Sequence, residues 1–265
     1  MAGAAWVTLV TNADYGLGAL ALARSLKRVG SAYPLVVLAT GGAGGLEALE
    51  AEGCRIVGAA PLPFSDGFRV RHGRGALHAA APFTKGGKPA FHDPIDNFQK
   101  LRLWRLAGLE RAAFLDADTL VVKPIDGLMA YPEFSAAPNL YETLHDFRRL
   151  NSGVFAARPD PATFEDMIER LDTGETFWRR TDQTFLEAYF PDWHGLPYTF
   201  NALQYLRFNL PELWHWPSIR VVHYQYEKPW QRDHPKRDRL GPLIDLWWAI
   251  LEGREVADDV PPWAP

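Results

Sequence analysis

Apolar runs of strand length alternate with helical patterns along the N-terminal quarter of the chain. The runs AAWVTLVT, PLVVLAT and CRIVGA are separated by predicted helices over ALALARSLKRVG, which ends at Gly30, and over GLEALEAEG. This β-α-β-α-β order is typical of a largely parallel sheet with helices on both faces. The pattern therefore predicts a single α/β domain.

The alternation resumes further along the chain. Asp96 is expected to cap a helix over NFQKLRLWRLAG that ends at Gly108. Asp160 is expected to cap a second helix, over DPATFEDMIERLDTG, with Pro161 at its first position. The segments FLDADTLVV, SGVFAA and SIRVVHY are predicted strands.

Two stretches do not follow this pattern. Residues 59–93 are rich in proline, glycine and small side chains and are predicted to form an extended loop; loops of this length are usually functional or disordered. Residues 231–265 form a tryptophan-rich tail. We expect the tail to pack on the domain, with an aromatic acceptor platform or a membrane-contact edge as alternatives.

Composition excludes several classes of protein. The chain has 265 residues and a net charge of -4, which argues against nonspecific nucleic-acid binding. Its single cysteine, Cys54, excludes an intramolecular disulfide framework and favours a reducing compartment. The N-terminus lacks the basic region of a signal peptide, and no segment reaches the ~20 apolar residues of a membrane span. We expect a soluble, cytoplasmic protein and leave homo-oligomer formation open.

The run AAFLDADTLVV places Asp116 and Asp118 in a segment with the pattern of a buried strand. Burying a charge without a partner is costly. On a strand, residues two apart point to the same side about 7 Å from each other, so both carboxylates can reach one ion. No basic residue stands beside them, so we expect a bound cation to supply the counter-charge and the metal-free site to be electrostatically strained.

A histidine completes the candidate metal site. His223 ends the predicted strand SIRVVHY, and a parallel strand would bring its side chain to the carboxyl edge of the sheet, where open α/β sheets bind ligands. Two carboxylates suit Mg²⁺ or Mn²⁺, and a histidine ligand favours Mn²⁺. Lys228 follows closely in VVHYQYEKPW and can meet a phosphate.

Two other motifs indicate different functions. GLGALA, at residues 16–21, matches a dinucleotide-binding pattern, but Ala39, Thr40 and Gly41 stand where a ribose-binding acid is required. Glycines that ease a strand-to-helix turn are the simpler interpretation. FLDADTLVV also resembles the nucleophile motif of haloacid-dehalogenase-type phosphatases. In that family one more residue separates the second aspartate from the threonine, so this remains a minor alternative.

Eight motifs in order resemble the glycogenin-type members of glycosyltransferase family 8. They are VTLVTNADYGLGALALARSL, FQKLRLWRL, FLDADTLVV, SAAPN, LNSGVF, TDQTFLEAYF, LPYTFN and VVHYQYEKPW. The match runs from Trp6 to Trp230 and leaves residues 59–93 and the tail unmatched. The resemblance implies a GT-A fold over residues 1–230, a Rossmann-like, mostly parallel mixed sheet flanked by helices. It also implies a UDP-sugar donor, a divalent metal that is usually Mn²⁺, and retention of anomeric configuration.

The resemblance assigns roles to thirteen residues. The implied metal ligands are Asp116, Asp118 and His223. The implied uridine-binding residues are Thr11, Asn12 and Tyr15, with Tyr15 stacked on the base, and Lys228 would grip the diphosphate. The implied residues around the donor sugar are Lys100, Asn139, Asn151, Ser152, Asp182 and Gln183, of which Lys100, Asp182 and Gln183 are the catalytic candidates.

The implied function is transfer of a hexose, with UDP-glucose or UDP-galactose as the favoured donor, to a separate carbohydrate or small-molecule acceptor. Asp182 as a transient nucleophile and a same-face route are both open, and we favour the second. In glycogenin a downstream tyrosine is itself glucosylated; the same spacing from Asn201 falls on Phe208, with Tyr205 nearby. A self-glucosylating primer and a catalytically silent UDP-sugar-binding protein remain alternatives.

Three features depart from the family pattern or lie outside it. Asn139 stands where an aspartate is common, and Arg179 and Arg180 precede TDQ where relatives are often acidic or glycine-rich. The extended loop 59–93 is a candidate acceptor lid. Its basic residues can contact a diphosphate or an anionic acceptor, or simply form a solvated face: Arg69, Arg71, His72 and Arg74.

Overall fold

A seven-stranded mixed sheet forms the centre of the protein. The computed structural model describes residues 3–79, 89–174 and 176–256. The strand order in the main sheet is β3-β2-β1-β4-β7-β6-β8, and a second sheet has the order β5-β10-β9. The strands are β1 (Ala4–Val10), β2 (Leu35–Ala39), β3 (Arg55–Gly58), β4 (Arg111–Leu115), β5 (Thr119–Val121), β6 (Ser135–Pro138), β7 (Leu150–Ala157), β8 (His194–Gly195), β9 (Ala202–Leu203) and β10 (Val221–His223).

The first four neighbours of the main sheet, β3, β2, β1 and β4, are parallel. Strand β7 is antiparallel to both β4 and β6, and β8 is parallel to β6. The predicted α/β fold with a mostly parallel mixed sheet is therefore confirmed. Because β1 and β4 are parallel neighbours, the residues that follow their last positions meet at one edge of the sheet.

Helices cover both faces of the main sheet. They are α1 (Ala13–Arg28), α2 (Leu46–Ala51), α3 (Asp66–His72), α4 (Arg74–Ala79), α5 (Pro161–Leu171), α6 (Asp182–Tyr189), α7 (Leu206–Asn209) and α8 (Arg237–Leu251). Apolar side chains of α1 and α2 pack on one face, and those of α5 and α6 pack on the other. Asp160 caps α5 and Pro161 is its first residue, as predicted.

The segment predicted as a helix after Asp96 is a 3₁₀ helix over Pro94–Arg105. Its cap is Asp93, whose side chain accepts a hydrogen bond from the backbone N–H of Ile95 at 3.1 Å. The prediction that Asp96 caps this helix was wrong. Pro94 has no N–H and a fixed φ, so it suits the first helical position and moves the start upstream. Shorter 3₁₀ helices span Asp126–Ala130, Leu144–Arg148, Tyr198–Phe200, Pro211–Leu213 and Trp216–Ser218.

Residues 59–93 are not one extended loop, because α3 and α4 lie within them; residues 80–88 of this segment are outside the described part. The basic side chains bind backbone carbonyls and tie the segment to its surroundings. Arg71 donates to the carbonyls of Thr176 and Gly174, at 3.2 and 3.0 Å, and Arg74 donates to that of Pro89 at 2.8 Å. His72 is buried and accepts the N–H of Trp178 on Nε2 at 2.8 Å.

The tail segment is described as far as residue 256. Helix α8 packs against α1 and the second sheet, where Trp247 is fully buried and lies 5.5 Å from Trp230 between ring centroids. Among the helices of the described segments, none is both long enough and apolar enough to cross a membrane.

Candidate active site

A cavity of about 500 Å³ opens at the carboxyl ends of β1 and β4. Of the thirteen predicted site residues, all except Asn12 line it. The side chain of Asn12 instead caps α1 by accepting the N–H of Tyr15 at 3.0 Å, and its amide donates to the carbonyl of Phe91 at 3.1 Å. Thr11 and Tyr15 lie on the cavity wall, and the Tyr15 hydroxyl is 2.9 Å from Nδ1 of His92.

Asp116 and Asp118 lie in a tight turn rather than on a strand, which corrects the sequence expectation. Strand β4 ends at Leu115, and β5 begins at Thr119. The Thr119 N–H and hydroxyl both donate to the carbonyl of Asp116, at 2.9 and 2.7 Å. The turn brings the two carboxylates together at the point where the chain leaves the main sheet.

Two glycines of the GLGALA segment lie in close contact with neighbouring backbone, and one of them contacts this turn. A Cβ on Gly18 would lie 2.5 Å from the carbonyl oxygen of Ala117, and one on Gly16 would lie 2.0 Å from that of Gly44. Real Cβ atoms do not approach oxygen so closely, so both positions require glycine. Gly18 lets α1 pack directly on the aspartate turn, and Gly16 lets it pack on the loop at Gly44.

His223 reaches the site from the second sheet, not from the main one as expected. It ends β10, which pairs in antiparallel register with β5, so His223 stands opposite Thr119. Its Nε2 lies 3.3 Å from Oδ1 of Asp118 and 3.9 Å from Oδ2 of Asp116. The strand that follows the aspartate turn thus positions the histidine beside it.

A chain of hydrogen bonds fixes the orientation of the imidazole. The Gly153 N–H donates to Oδ1 of Asn151 at 2.8 Å, and Nδ2 of Asn201 donates to the same oxygen at 2.8 Å. The oxygen of Asn201 therefore faces Nδ1 of His223, at 2.8 Å, and accepts its proton. This tautomer leaves the Nε2 lone pair directed at the two carboxylates, as in metal-binding histidines.

Asn201→Leu should weaken Mn²⁺ binding by about tenfold to a hundredfold, because the acceptor that orients the imidazole is lost. Asn201→Asp keeps an oxygen opposite Nδ1 and is the matched control, with much smaller loss. Calorimetric titration of Mn²⁺ into each variant in the presence of UDP measures the effect. Wild-type affinity in the leucine variant would show that Asn201 does not position His223.

Two buried lysines neutralise the aspartates. Lys100 Nζ lies 2.8 Å from Oδ1 of Asp116 and 3.2 Å from Oδ2 of Asp182, and Lys228 pairs with Asp118. The expectation that no basic residue supplies the counter-charge was wrong, because neither lysine is a sequence neighbour of its partner. Burial alone would raise the pKa of Asp118, but the ammonium of Lys228 holds it well below its ordinary value.

The three predicted ligands fit a divalent metal. One ligand atom each from Asp116, Asp118 and His223 lies within 4.8 Å of the others. Two carboxylate oxygens and a neutral imidazole nitrogen form a donor set that suits Mn²⁺ or Mg²⁺. The site can therefore hold a cation among residues that also present two ammonium groups.

The remaining predicted residues form the opposite wall. Nδ2 of Asn151 donates to Oδ1 of Asn139 at 2.9 Å, and Ser152 follows on the same strand, β7. Asp182 and Gln183 open α6, and the Asp182 carboxylate accepts the Thr181 hydroxyl at 2.8 Å. The cavity thus has a cationic, metal-binding side and a side of amides, hydroxyls and one carboxylate.

Proteins that are similar to this chain in sequence or in fold include several glycosyltransferases. No family model matches the chain. UDP-glucuronate:xylan alpha-glucuronosyltransferase 1 of Arabidopsis thaliana is 30% identical over 239 residues, covering 85% of this chain and 32% of that protein. Galactinol synthase 6 of the same plant is 28% identical over 290 residues, covering 94% of this chain and 80% of that protein. The galactosyltransferase LgtC, solved with donor and acceptor sugar analogues, superposes with a TM-score of 0.59 at 15% identity, covering 95% of this chain and 96% of that chain.

The chain is a homologue of these glucuronosyltransferases and galactinol synthases, which are glycosyltransferases of the family 8 type. Its fold is the GT-A fold, since a second LgtC structure superposes with a TM-score of 0.62 at 16% identity over 95% of this chain and 96% of that one. The predicted family resemblance and fold are confirmed. The chain spans about a third of the length of the glucuronosyltransferases that it matches.

Of the two residues considered for self-glucosylation, Tyr205 is buried and Phe208 is partly buried. The Tyr205 hydroxyl is bonded to Glu227 and to Lys236, and the side chain is 3% exposed. Phe208 packs under the guanidinium of Arg239, 4.0 Å from its ring centroid. Neither position offers a free hydroxyl to a donor sugar.

Sequence reasoning missed Asp96 as a residue of the cavity wall. Burial, with a smaller contribution from Asp93, raises the pKa of Asp96 to about 6. Above pH 6 the carboxylate is charged in both the folded and the unfolded protein. Burial makes the charge less favourable in the folded protein, so the charged carboxylate destabilises the fold. As pH falls from 6 towards 4 the folded protein takes up the proton first and the penalty disappears.

Asp96→Asn should therefore raise the free energy of unfolding by about 1 kcal/mol at pH 7.5, a value reduced for solvent screening of this half-buried group. The gain over wild type should fade as pH falls through 6 and vanish near pH 4. Urea unfolding of both proteins across this range is the measurement. If the gain in the free energy of unfolding were undiminished at pH 4, the charge of Asp96 would not be its cause.

Proposed function

We propose that this protein is a metal-dependent, retaining glycosyltransferase that moves a hexose from a UDP-sugar to a separate acceptor. The observation that carries the proposal is one cavity in which Asp116, Asp118 and His223 face each other beside Lys100 and Lys228. Cleavage of a sugar–diphosphate bond leaves a dianionic UDP, so groups that neutralise this charge are what the reaction needs. The name of the related glucuronosyltransferases supports a UDP-sugar as the donor.

Asp116, Asp118 and His223 would hold the metal, with Mn²⁺ favoured over Mg²⁺ because of the imidazole. When bound, the metal supplies Lewis-acid stabilisation of the diphosphate leaving group. Lys228 and Lys100 are ammonium groups that can turn from their aspartates to phosphate oxygens. Thr11 and Tyr15 would hold the uridine, with Asn12 supporting them through the backbone of α1.

The cavity wall that carries amide and hydroxyl side chains would orient the donor sugar. Asn139, Asn151 and Ser152 are positioned by strands β6 and β7, and Gln183 by α6. Asp182 has one oxygen bonded to the Thr181 hydroxyl and the other 3.2 Å from Lys100 Nζ. The second oxygen is buried and has no hydrogen-bond partner within the part of the chain that the structure describes, so it can accept a hydrogen bond from a sugar hydroxyl. We favour this role, and with it the same-face route, over nucleophilic attack.

Release of UDP in the absence of an added acceptor tests the proposal. We expect turnover of at least one donor from a panel of UDP-glucose, UDP-galactose and UDP-glucuronate, with Mn²⁺ but not with a chelator. Mass spectrometry of the protein after the reaction should show no added hexose, in agreement with the buried Tyr205. No metal-dependent turnover and no binding of UDP would contradict the proposal, and release of phosphate from an aryl phosphate would favour a phosphatase.

A further inference from the structure

One end of the cavity is lined by arginines that the proposed chemistry does not use. Arg149, Arg179 and Arg180 lie on this wall with Tyr226. Arg180 is half-buried, yet within the described segments no carboxylate lies within 4.0 Å of its guanidinium. Burial lowers the pKa of Arg180 and the like charge of Arg149 adds to the effect, while Glu187 opposes it and Arg179 contributes less. In the described part of the chain, the guanidinium of Arg180 therefore has no close counter-ion.

One carboxylate on this wall, that of Asp146, is engaged elsewhere. Asp146 pairs with Arg149, but its other oxygen accepts the N–H groups of Glu142 and Thr143 at 2.9 and 3.1 Å. The charge of Asp146 is therefore shared with the backbone of its own turn. Glu142 lies on the same wall, yet Arg180 is left with no carboxylate within 4.0 Å among the described residues.

Two strained residues hold the same wall in place. Thr181, directly after Arg180, has a φ of +52°, and Tyr226 has a φ of +67°. A positive φ is costly for non-glycine residues and β-branched ones in particular, and such strain concentrates at ligand sites. Thr181 is tied down by Nδ2 of Asn97 at 3.1 Å and by its bond to Asp182. The strained turn fixes the direction in which Arg180 and Asp182 leave the backbone.

We infer that this end of the cavity binds an anionic group of the substrate, a carboxylate or a phosphate, through Arg180 with Arg149 beside it. The inference rests on the proposed function and names the substrate class. The planar guanidinium forms paired hydrogen bonds with two oxygens of such a group, and burial strengthens them. Arg149 and Arg180 stand two residues before Asn151 and Asp182, so the anion belongs at the sugar end of the cavity.

Two sources have this chemistry: a uronic-acid sugar on the donor, or an acidic acceptor. UDP-glucuronate and UDP-glucose form a matched pair of donors, because they differ only at C6 of the sugar. Glucuronate and glucose form the corresponding pair of acceptors. Steady-state kinetics of wild type, Arg180→Ala and Arg180→Lys on both pairs separates the two sources. Arg170→Ala removes an exposed arginine of α5 and is the control.

We expect wild type to favour the anionic member of one pair. Arg180→Ala should lower kcat/KM for that substrate by about tenfold to a hundredfold and leave the neutral partner within about threefold. Arg180→Lys should recover part of the loss, and Arg170→Ala should behave as wild type. An effect on the donor pair identifies a uronic-acid donor, and an effect on the acceptor pair identifies an acidic acceptor.

The inference is overturned if Arg180→Ala changes neutral and anionic substrates equally, or if wild type prefers the neutral member of both pairs. Thermal melting with UDP and Mn²⁺ measures whether the protein binds UDP. This measurement distinguishes failure of the anion-binding inference from failure of the proposed function. A protein that binds UDP and turns over UDP-sugars without any preference for anions retains the function and loses only the inference.

Discussion

Asp118→Asn should lower sugar transfer by about a thousandfold, since a metal acting as Lewis acid contributes several kcal/mol to stabilising the leaving group. The carboxylate lies at the centre of the site: it pairs with Lys228, and its Oδ1 is 3.3 Å from Nε2 of His223. An amide keeps the shape but loses the charge that holds the metal. UDP release with Mn²⁺ is the measurement, and the rise in melting temperature caused by UDP and Mn²⁺ should also disappear.

Asp245→Asn is the matched control, because Asp245 is an exposed acid on α8 whose partner is Arg237. It should retain wild-type turnover. Asp118→Asn leaves Lys228 without its partner, so circular dichroism must show that the variant is folded. Asp116→Asn, which removes the other carboxylate, should give a loss of the same order. Near-wild-type turnover in both folded variants would exclude the proposed metal site.

Lys228→Met should separate the two roles of this lysine. In the metal-free protein its ammonium neutralises Asp118, so its removal leaves a buried carboxylate unpaired and should cost about 3–5 kcal/mol of stability. Mn²⁺ alone should restore much of the lost stability, because the metal no longer competes with the Lys228 ammonium for Asp118. The melting temperature of the variant should therefore rise more on adding Mn²⁺ than that of wild type.

The same variant should bind UDP more weakly, by about tenfold to a hundredfold, because an ammonium that can meet the diphosphate is absent. Lys27→Met is the control, since Lys27 is an exposed lysine paired with Glu52. Differential scanning fluorimetry and UDP titrations measure the two effects. A variant that is as stable as wild type without metal and binds UDP equally would show that Lys228 has neither role.

The candidate site was largely predictable because its residues fall in short motifs at the ends of regular elements. Asp116 directly follows strand β4, at the middle of the motif FLDADTLVV, and Thr11 directly follows β1. The parallel pairing of these two strands brings their ends together. The β-α-β-α-β pattern indicated a largely parallel sheet but not this particular pairing. Strand and helix patterns are local, so they could be recognised from the chain alone.

The errors concern contacts between segments far apart in the sequence. The pairing of Lys228 with Asp118 spans 110 residues, and no local pattern contains it. The same holds for His223, which depends on the pairing of β10 with β5 in a separate small sheet. Asn201 was noted only as a spacing marker; its bonds to Asn151 and His223 become visible only in three dimensions.

The helix assignment after residue 93 failed for a local reason. Pro94 follows Asp93, and an aspartate before a proline is a strong signal for the start of a helix. Asp96, three residues after Asp93, was chosen as the cap in its place. The 3₁₀ geometry of Pro94–Arg105 could not be foreseen, because apolar spacing alone does not distinguish it from an α-helix.

The central claim is that Asp116, Asp118 and His223 hold a divalent metal that binds UDP together with the protein. Calorimetric titration of UDP into the protein, once with Mn²⁺ and once with EDTA, tests this claim most directly. The account predicts tight binding of UDP with Mn²⁺ and at least tenfold weaker binding, about 1.4 kcal/mol or more, with EDTA. Equal affinity under both conditions, or no binding under either, would contradict it.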